Sequence, residues 1–332
     1  MSSRITEVRH ELDETERRIT AALMVSPRAS WRTLARCLEL SERTVVRRAG
    51  PLYADGTLRA TAVRNPACFP ALLPVALRVR CRPNRIRAVA ATLARRPDTI
   101  WVDVLGGGDE ISTVLFLDGP EARNDLLLRD LPATPAVDSW TAHTLLRVFP
   151  TAFEWTAGLL SPAAIAALRP ASLPEPETAT RPRDLDEALL DALVADCRAS
   201  YTDLAERTGS TPLTARHRLA ALVRGGVVRL ATEVDLALLG VHAEALLWMT
   251  VGPAALHATG QALSRHPQVR FTAATTGPAN LLVAVAAADL NALYTFLTST
   301  VGPIDRLTSI ETTPILSTVK RTGLTRRSAP VS

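Results

Sequence analysis

The sequence is poor in aromatic residues, in lysine and in paired cysteines, and these shortages exclude several classes of protein. Aromatic residues make up only 4% of the 332 residues, so Leu, Val and Ala must fill the cores that a hydrophobic content of 47% allows. The four cysteines are far apart and form no CxxC pair, which argues against both a disulfide framework and a zinc site. All but one of the 38 basic residues are arginines, an imbalance that a GC-rich genome produces without any functional cause.

Other signals are missing as well. The N-terminus lacks the apolar core of a signal peptide, and no run of about 18 uninterrupted apolar residues could cross a membrane. The six histidines show neither HxxxH nor HExxH spacing, and the sequence has no Walker loop and no GxSxG motif. We therefore expect a cytoplasmic protein that is not an enzyme, does not contact a membrane and needs no metal or cofactor.

The chain repeats itself. The segment 28–35, Arg-Ala-Ser-Trp-Arg-Thr-Leu-Ala, recurs at 198–205 as Arg-Ala-Ser-Tyr-Thr-Asp-Leu-Ala, and the same offset of 170 later maps Gly107 on Gly277. A constant offset across most of each half indicates a duplicated unit. The proline-rich segment 151–182 predicts a linker with one short helix, Ala163–Leu168, capped by Ser161.

Each unit opens with the pattern of three short helices, in which apolar residues recur on one helical face. A new N-cap, Ser41 in the first copy and Thr211 in the second, begins the third helix. Such a helix-turn-helix arrangement places the N-terminal end of the third helix in a DNA major groove. The β-prone segments Thr57–Val63 and Val227–Val234 that follow predict a small wing in each copy.

Positive charge is concentrated in these two regions. Window 28–64 carries a net charge of +5 and window 198–234 a net charge of +3, against +5 for the whole chain. We expect Arg43 and Arg47 to read guanine edges or grip phosphates, and Arg36 and Arg48 to meet the DNA backbone. The predicted DNA-contacting residues are Arg36, Ser41, Arg43, Thr44, Arg47 and Arg48 in copy one, and Thr211, Thr214, Arg216, His217 and Arg218 in copy two.

The second part of each unit has the order βαββαβ, which is that of the ferredoxin-like fold. One face of such a sheet is open, and here a partner is available in the same chain. The predicted fold class is therefore α+β, with two tandem copies of a winged helix-turn-helix domain followed by a ferredoxin-like domain. The predicted boundaries are 8–66 and 183–240 for the helix-turn-helix domains, 67–150 and 241–322 for the ferredoxin-like domains, and 151–182 for the linker.

At this point the sequence resembles the Lrp/AsnC (leucine-responsive, feast-famine) transcription regulators. The family's run Ser-x-x-Thr-Val-x-x-Arg is present at 41–48 and, as Thr-x-x-Thr-Ala-x-x-Arg, at 211–218. Its later turn Thr-Gly-x-x-Asp-Leu resembles the segment 276–281, Thr-Gly-Pro-Ala-Asn-Leu. The resemblance implies a regulator that binds double-stranded DNA and self-associates, with its two copies pairing either within one chain or between chains, and with assembly into higher oligomers as a further expectation. It also implies an amino acid or similar small effector, for which the candidate residues are Gly106, Gly107, Glu110, Gly277 and Asn280.

Three departures from the family pattern matter. Glu39 stands where the family has the turn glycine, which the second copy keeps as Gly209. Pro51 lies inside the third helix of copy one and predicts a kink or a restart there. Glu110 and Asn280 replace the family's aspartate, a departure at the turn where the family's amino-acid effectors bind.

Two other functions remain open from the sequence. The siroheme decarboxylases share this two-part architecture and act on a tetrapyrrole through a pocket of His and Arg, but the histidines here are scattered along the chain. Alternatively, the helix-turn-helix domains are degenerate, and the protein is a module that binds a ligand or a protein partner.

Overall fold

The computed structural model describes residues 11–149, 156–168 and 184–326. Most of the predicted linker, 151–155 and 169–182, lies outside the described residues. Residues 8–10, 150 and 183, at the ends of predicted domains, lie outside them too.

Helices and strands follow one another in the same order in both halves of the described chain. The helices are α1 (Glu14–Val25), α2 (Trp31–Leu38), α3 (Glu42–Ala54), α4 (Ile86–Arg95), α5 (Gly119–Asn124), α6 (Pro162–Leu168), α7 (Asp184–Ala195), α8 (Tyr201–Thr208), α9 (Pro212–Arg224), α10 (Pro253–Ser264) and α11 (Leu290–Phe296). The strands are β1 (Arg59–Arg64), β2 (Leu72–Cys81), β3 (Thr99–Leu105), β4 (Glu110–Asp118), β5 (Val137–Val148), β6 (Val228–Glu233), β7 (Ala243–Val251), β8 (Val269–Thr275), β9 (Leu281–Ala287), β10 (Leu307–Arg321) and β11 (Leu324–Thr325). Helices α5 and α11 continue into π-helical segments, Asp125–Asp130 and Leu297–Val301.

Three helices open each half of the chain, at the positions that the apolar periodicity predicts. Helices α1, α2 and α3 enclose a core in which Ile19, Leu34 and Val45 are fully buried. Helices α7, α8 and α9 do the same around Leu193 and Leu204. Burying one apolar face of each helix supplies the stability that helices of 8 to 13 residues lack in isolation.

The turn between α2 and α3 confirms that Glu39 occupies a position suited to glycine. Glu39 adopts φ +58°, in the left-handed region, as Gly209 does at φ +62°. The expected kink or restart at Pro51 does not end the helix, because α3 runs through Pro51 to Ala54. Pro51 lies in the last turn of α3, where the buried Leu52 still packs in the core.

The predicted wings form a single shared structure. Among the described strands, β1 and β6 pair only with each other. They run antiparallel, with Thr61 opposite Ala231 and Ala62 opposite Leu230. The sequence alone predicts a separate small wing within each copy. A lone strand would leave its backbone N–H and C=O groups unpaired, and pairing the two copies satisfies them.

Eight of the remaining nine strands close into one barrel, and the short β11 pairs with the end of β10. The four strands β3-β4-β2-β5 lie side by side in the first half, and β8-β9-β7-β10 lie in the same relative order in the second, which is the strand order of a ferredoxin-like sheet. The end of β5 then pairs with β8, and the end of β10 pairs with β3. The two sheets pack on each other through their open faces, as the βαββαβ order predicts. In addition, β5 and β10 each cross from their own sheet to the other one and join the edges, so that none of these eight strands has a free edge along its whole length.

The barrel interior is apolar at its centre, where Leu105, Leu246 and Phe271 meet. Helices α4 and α5 pack outside the first sheet, and α10 and α11 outside the second. The short α6 packs against the first helical core, and at its start the N–H of Ala164 donates to Ser161 Oγ at 3.2 Å, which confirms the predicted cap. Among the described residues, no helix has the length and hydropathy needed to cross a bilayer.

Candidate nucleic-acid interface

The N-terminal end of α3 is held by its own polar side chains. Ser41 Oγ accepts a hydrogen bond from the N–H of Thr44 at 3.0 Å and lies 2.8 Å from Thr44 Oγ1. Thr211 and Thr214 repeat this arrangement at the start of α9, with distances of 3.1 and 2.9 Å. These four predicted contact residues therefore position the start of each helix and keep hydroxyl oxygens at the surface.

Three of the four predicted arginines in the first half are available for a partner. Arg36, Arg43 and Arg47 are exposed, and the structure shows no ion pair or side-chain hydrogen bond for them within the described residues. The exposed Val46 lies between the two arginines of α3, with 44% of its surface accessible. The first turns of α3 thus present two guanidinium groups and one apolar side chain outward.

Arg48 and Arg218, also predicted to contact DNA, are paired with acidic side chains. Arg48 donates to Asp13 at 2.6 Å and lies 3.4 Å from Glu16, both at the start of α1. Arg218 forms a bidentate pair with the buried carboxylate of Asp186 on α7, with one contact of 2.8 Å. Both arginines therefore join the third helix to the first helix of their own domain.

The second copy presents a different outer face. At the positions of Arg43, Val46 and Arg47, helix α9 carries Leu213, Arg216 and His217, all exposed. Leu213 has 63% of its surface accessible. The two third helices therefore share a scaffold and differ in the side chains that they offer.

A reciprocal pair of arginines, absent from the predicted site, joins the two helical domains. Arg28 donates to the carbonyl oxygens of Cys197 and Ala199, the latter at 2.8 Å, and its guanidinium lies 4.8 Å from the ring centre of Tyr201. Its counterpart in the repeat makes the mirror contacts.

In that second set, Arg198 donates to the carbonyl oxygens of Pro27 and Ala29 and lies 4.2 Å from the ring centre of Trp31. The wing strands add a further reciprocal pair: Thr61 Oγ1 donates to the carbonyl of Val194, and Thr232 Oγ1 to that of Leu23, both at 2.8 Å. The helical domains are thus related by an approximate two-fold axis within one chain. The repeated Arg-Ala-Ser segment was the only sign of this interface in the sequence.

The predicted effector residues lie at two turns of the barrel, and three of them, Gly106, Glu110 and Asn280, already have hydrogen-bond or ion-pair partners. Glu110 is buried and pairs with Arg78, whose guanidinium also holds Glu311 in a bidentate pair at 2.6 and 2.8 Å. The Arg78 hydrogen bonds keep the pKa of Glu311 below its usual range. The N–H of Gly106 donates to the carbonyl of Pro314 at 2.8 Å.

On the other turn, the Asn280 amide bonds to both backbone groups of Val251, at 2.9 and 2.7 Å. Gly277 has φ +101°, and a Cβ there would lie 2.3 Å from Nδ1 of His143, so only glycine fits. His143 in turn lies beside Trp248, with ring centres 5.3 Å apart. The structure thus brings Gly106, Gly107 and Glu110 together on one turn and Gly277 and Asn280 on another.

A buried charged cluster lies at the end of the barrel next to the wing strands. Arg321 pairs with Glu244 at 2.8 Å and approaches Glu233 of β6 at 4.0 Å, while Arg270 also pairs with Glu244. Although burial opposes ionisation, Arg321 and Arg270 lower the pKa of Glu244 to about 2. Burial raises the pKa of Asp103, which accepts a hydrogen bond from Thr318, to about 6.

Comparison with known proteins identifies the second half by sequence. Residues 184–223 match the AsnC-type helix-turn-helix domain, and residues 244–325 match the Lrp/AsnC ligand binding domain. Two uncharacterised HTH-type transcriptional regulators, from Pyrococcus abyssi and Pyrococcus horikoshii, are each 30% identical over 144 residues. Each match covers 43% of this chain and 90% of the relative.

Comparison of folds extends over nearly the whole chain. The crystal structure of the siroheme decarboxylase NirDL superposes with a TM-score of 0.59 and 13% sequence identity, and the match covers 93% of both chains. At this identity the similarity concerns the fold alone. The family matches and the Pyrococcus relatives together show that this chain belongs to the Lrp/AsnC family of transcriptional regulators.

Proposed function

We propose that the protein regulates transcription by binding double-stranded DNA through both helix-turn-helix domains of one chain. The observation that carries this proposal is the reciprocal joining of the two domains by Arg28 and Arg198. Family regulators that work as dimers contact two half-sites, and here one chain holds both readers in a fixed relation. We take the domains as 8–66, 67–150, 183–240 and 241–322, with 151–182 as the linker.

The two third helices, α3 and α9, are expected to prefer different half-sites. Arg43 and Arg47 of α3 suit guanine edges and phosphates, whereas α9 offers Leu213, Arg216 and His217. An apolar side chain such as Leu213 suits contact with a thymine methyl group. The preferred operator would then be non-palindromic, in contrast to the palindromes that a symmetric dimer selects.

Selection of duplexes from a random library by the full chain tests this proposal. We expect half-sites about 10 base pairs apart, or a multiple of that, with different sequences in the two halves. The affinity should fall steeply with added salt, because each phosphate contact releases counterions. Recovery of no enriched sequence, together with binding that does not change with salt, would favour a degenerate helix-turn-helix and a ligand- or partner-binding module.

An effector at the glycine turns remains part of the proposal. Glu110 and Asn280 already bond to Arg78 and Val251, so a ligand there would have to replace these partners. A thermal-shift screen with the amino acids tests the point, since a ligand at 100 times its dissociation constant stabilises the folded state by about 2.7 kcal/mol. Further assembly of chains is expected from the family, and sedimentation of the full chain measures it.

A second candidate function follows from the NirDL fold match. The barrel interior at Trp101 and Phe271 has a cavity of about 10 Å³, which holds no more than a water, so a decarboxylase of this fold would have to bind its tetrapyrrole elsewhere. We favour the regulator, because the matched domain is an AsnC-type helix-turn-helix and the sequence relatives are HTH-type transcriptional regulators. Addition of siroheme to the protein tests the alternative, which a change in the absorption spectrum followed by turnover would support.

A further inference from the structure

A groove of about 570 Å³ lies on the outside of the first half, between α4 and the π-helical segment that follows α5. Its floor consists of buried apolar side chains, among them Val89, Leu93 and Leu126. The volume falls within the range of small-molecule sites, about 300–1,000 Å³, and an apolar floor with few polar groups is typical of them.

The rim of the groove is positively charged. Arg82 and Arg85 are exposed, and neither makes an ion pair or a side-chain hydrogen bond within the described part of the chain. Arg96 also lines the groove and is held by Asp98 at 2.7 Å. The one carboxylate in the lining, Asp130, lies 3.8 Å from Arg96 and pairs with Arg129 at 3.0 Å. The two free guanidinium groups thus have no anion among the residues that the structure describes.

The second half provides a natural comparison at the same offset of 170 residues. Arg82 and Arg85 correspond to Gly252 and Ala255, which carry no charge. Leu126 corresponds to Phe296, a larger side chain that is 2% exposed. His266, at the position of Arg96, packs on Phe296 with ring centres 4.9 Å apart. Since the two halves share their architecture, the fold itself does not require the smaller side chain of Leu126. Nor does it require the unpaired guanidinium groups of Arg82 and Arg85.

We propose that this groove binds an organic acid with an apolar body, whose carboxylate pairs with Arg82 and Arg85 and whose apolar part lies on Leu126 and Val89. Arginine suits this role because its planar guanidinium matches a carboxylate with two parallel hydrogen bonds. The groove is separate from the glycine turns and from the third helices, so the proposal stands or fails independently of DNA binding.

Calorimetric titration of the full chain with octanoate and with 1-octanol tests the proposal, since the two probes share an apolar body and differ in charge. Octanoate should bind to one site per chain, and the double variant Arg82→Ala/Arg85→Ala should weaken it at least tenfold. The binding of 1-octanol, weaker from the start, should change less than threefold. Arg87→Ala is the matched control, because Arg87 is exposed in the first turn of α4, two residues after Arg85, and does not line the groove.

Two filling variants test the location. Leu126→Phe introduces the residue of the second half, and Ala88→Trp fills the groove from an exposed position without altering the core. Each should abolish octanoate binding while the circular dichroism spectrum is unchanged. The proposal is wrong if octanoate does not bind at millimolar concentration, if Ala88→Trp binds it like wild type, or if Arg87→Ala weakens it as much as the double variant does.

Discussion

The reciprocal arginine contacts yield the most quantitative prediction. Replacing Arg28 by Ala removes two hydrogen bonds from a charged donor to the carbonyls of Cys197 and Ala199, and one stacking contact with Tyr201. A hydrogen bond to a charged group contributes about 1.5–3 kcal/mol and an exposed cation–π contact about 0.5–1 kcal/mol. The freed carbonyls regain water, because Arg28 is only half-buried, so we expect a net loss of about 2–4 kcal/mol.

Urea unfolding followed by circular dichroism measures this loss. Arg198→Ala should cost a similar amount, since its contacts mirror those of Arg28. Arg36→Ala is the control, and a surface change of this kind should alter the free energy of unfolding by less than about 0.5 kcal/mol. If Arg28→Ala and Arg198→Ala destabilise the protein no more than Arg36→Ala, the two helical domains are not held together as described.

Two further predictions concern backbone strain and pH. Glu39→Gly should stabilise the protein by about 1 kcal/mol in the same urea assay, because Glu39 has φ +58°, which favours glycine. Gly209→Ala, at φ +62°, should destabilise the protein by a similar amount. The opposite sign for either variant would refute the assigned turns. The pKa of Asp103 is raised to about 6, so the folded state binds more protons than the unfolded state between about pH 4 and 6. Because of Asp103, the free energy of unfolding should therefore fall by about 3 kcal/mol as the pH rises through this window. Asp103→Asn should remove that fall in a pH series of thermal melts, and an unchanged pH profile would contradict the buried environment of Asp103.

Much of the helical part of the fold was predictable from local sequence. The caps at Ser41 and Thr211 and the apolar periodicity located α3 and α9 correctly, because helix ends and helix faces depend on residues three or four positions apart. The positive φ of Glu39 was also predictable, since the repeat aligns it with Gly209.

The pairing between the two halves was not predictable in the same way. Strands β1 and β6 pair residues as distant in the chain as Arg59 and Glu233, and nothing in either strand's own pattern specifies that partner. The same holds for the ends of β5 and β10, which close the barrel.

The positions of the candidate site residues were likewise predictable only where they depend on local sequence. Arg43 and Arg47 were predicted as outward-facing from periodicity alone, and they are exposed. Arg48 follows them and is equally basic, yet it is paired, and its partners Asp13 and Glu16 lie at the start of another helix, Glu16 being 32 residues earlier in the chain. Charge in a local window therefore identifies the basic region but not which of its arginines are free.

The most direct test of the account is the affinity of the full chain for its selected operator, compared between wild type and Arg43→Ala/Arg47→Ala. Fluorescence anisotropy with labelled duplex should show tight, salt-sensitive binding by wild type. Each arginine that reads a base contributes about 1–3 kcal/mol, so the double variant should bind at least tenfold more weakly. Equal affinity of the two proteins would show that α3 does not read the operator, and absence of DNA binding by wild type would contradict the account as a whole.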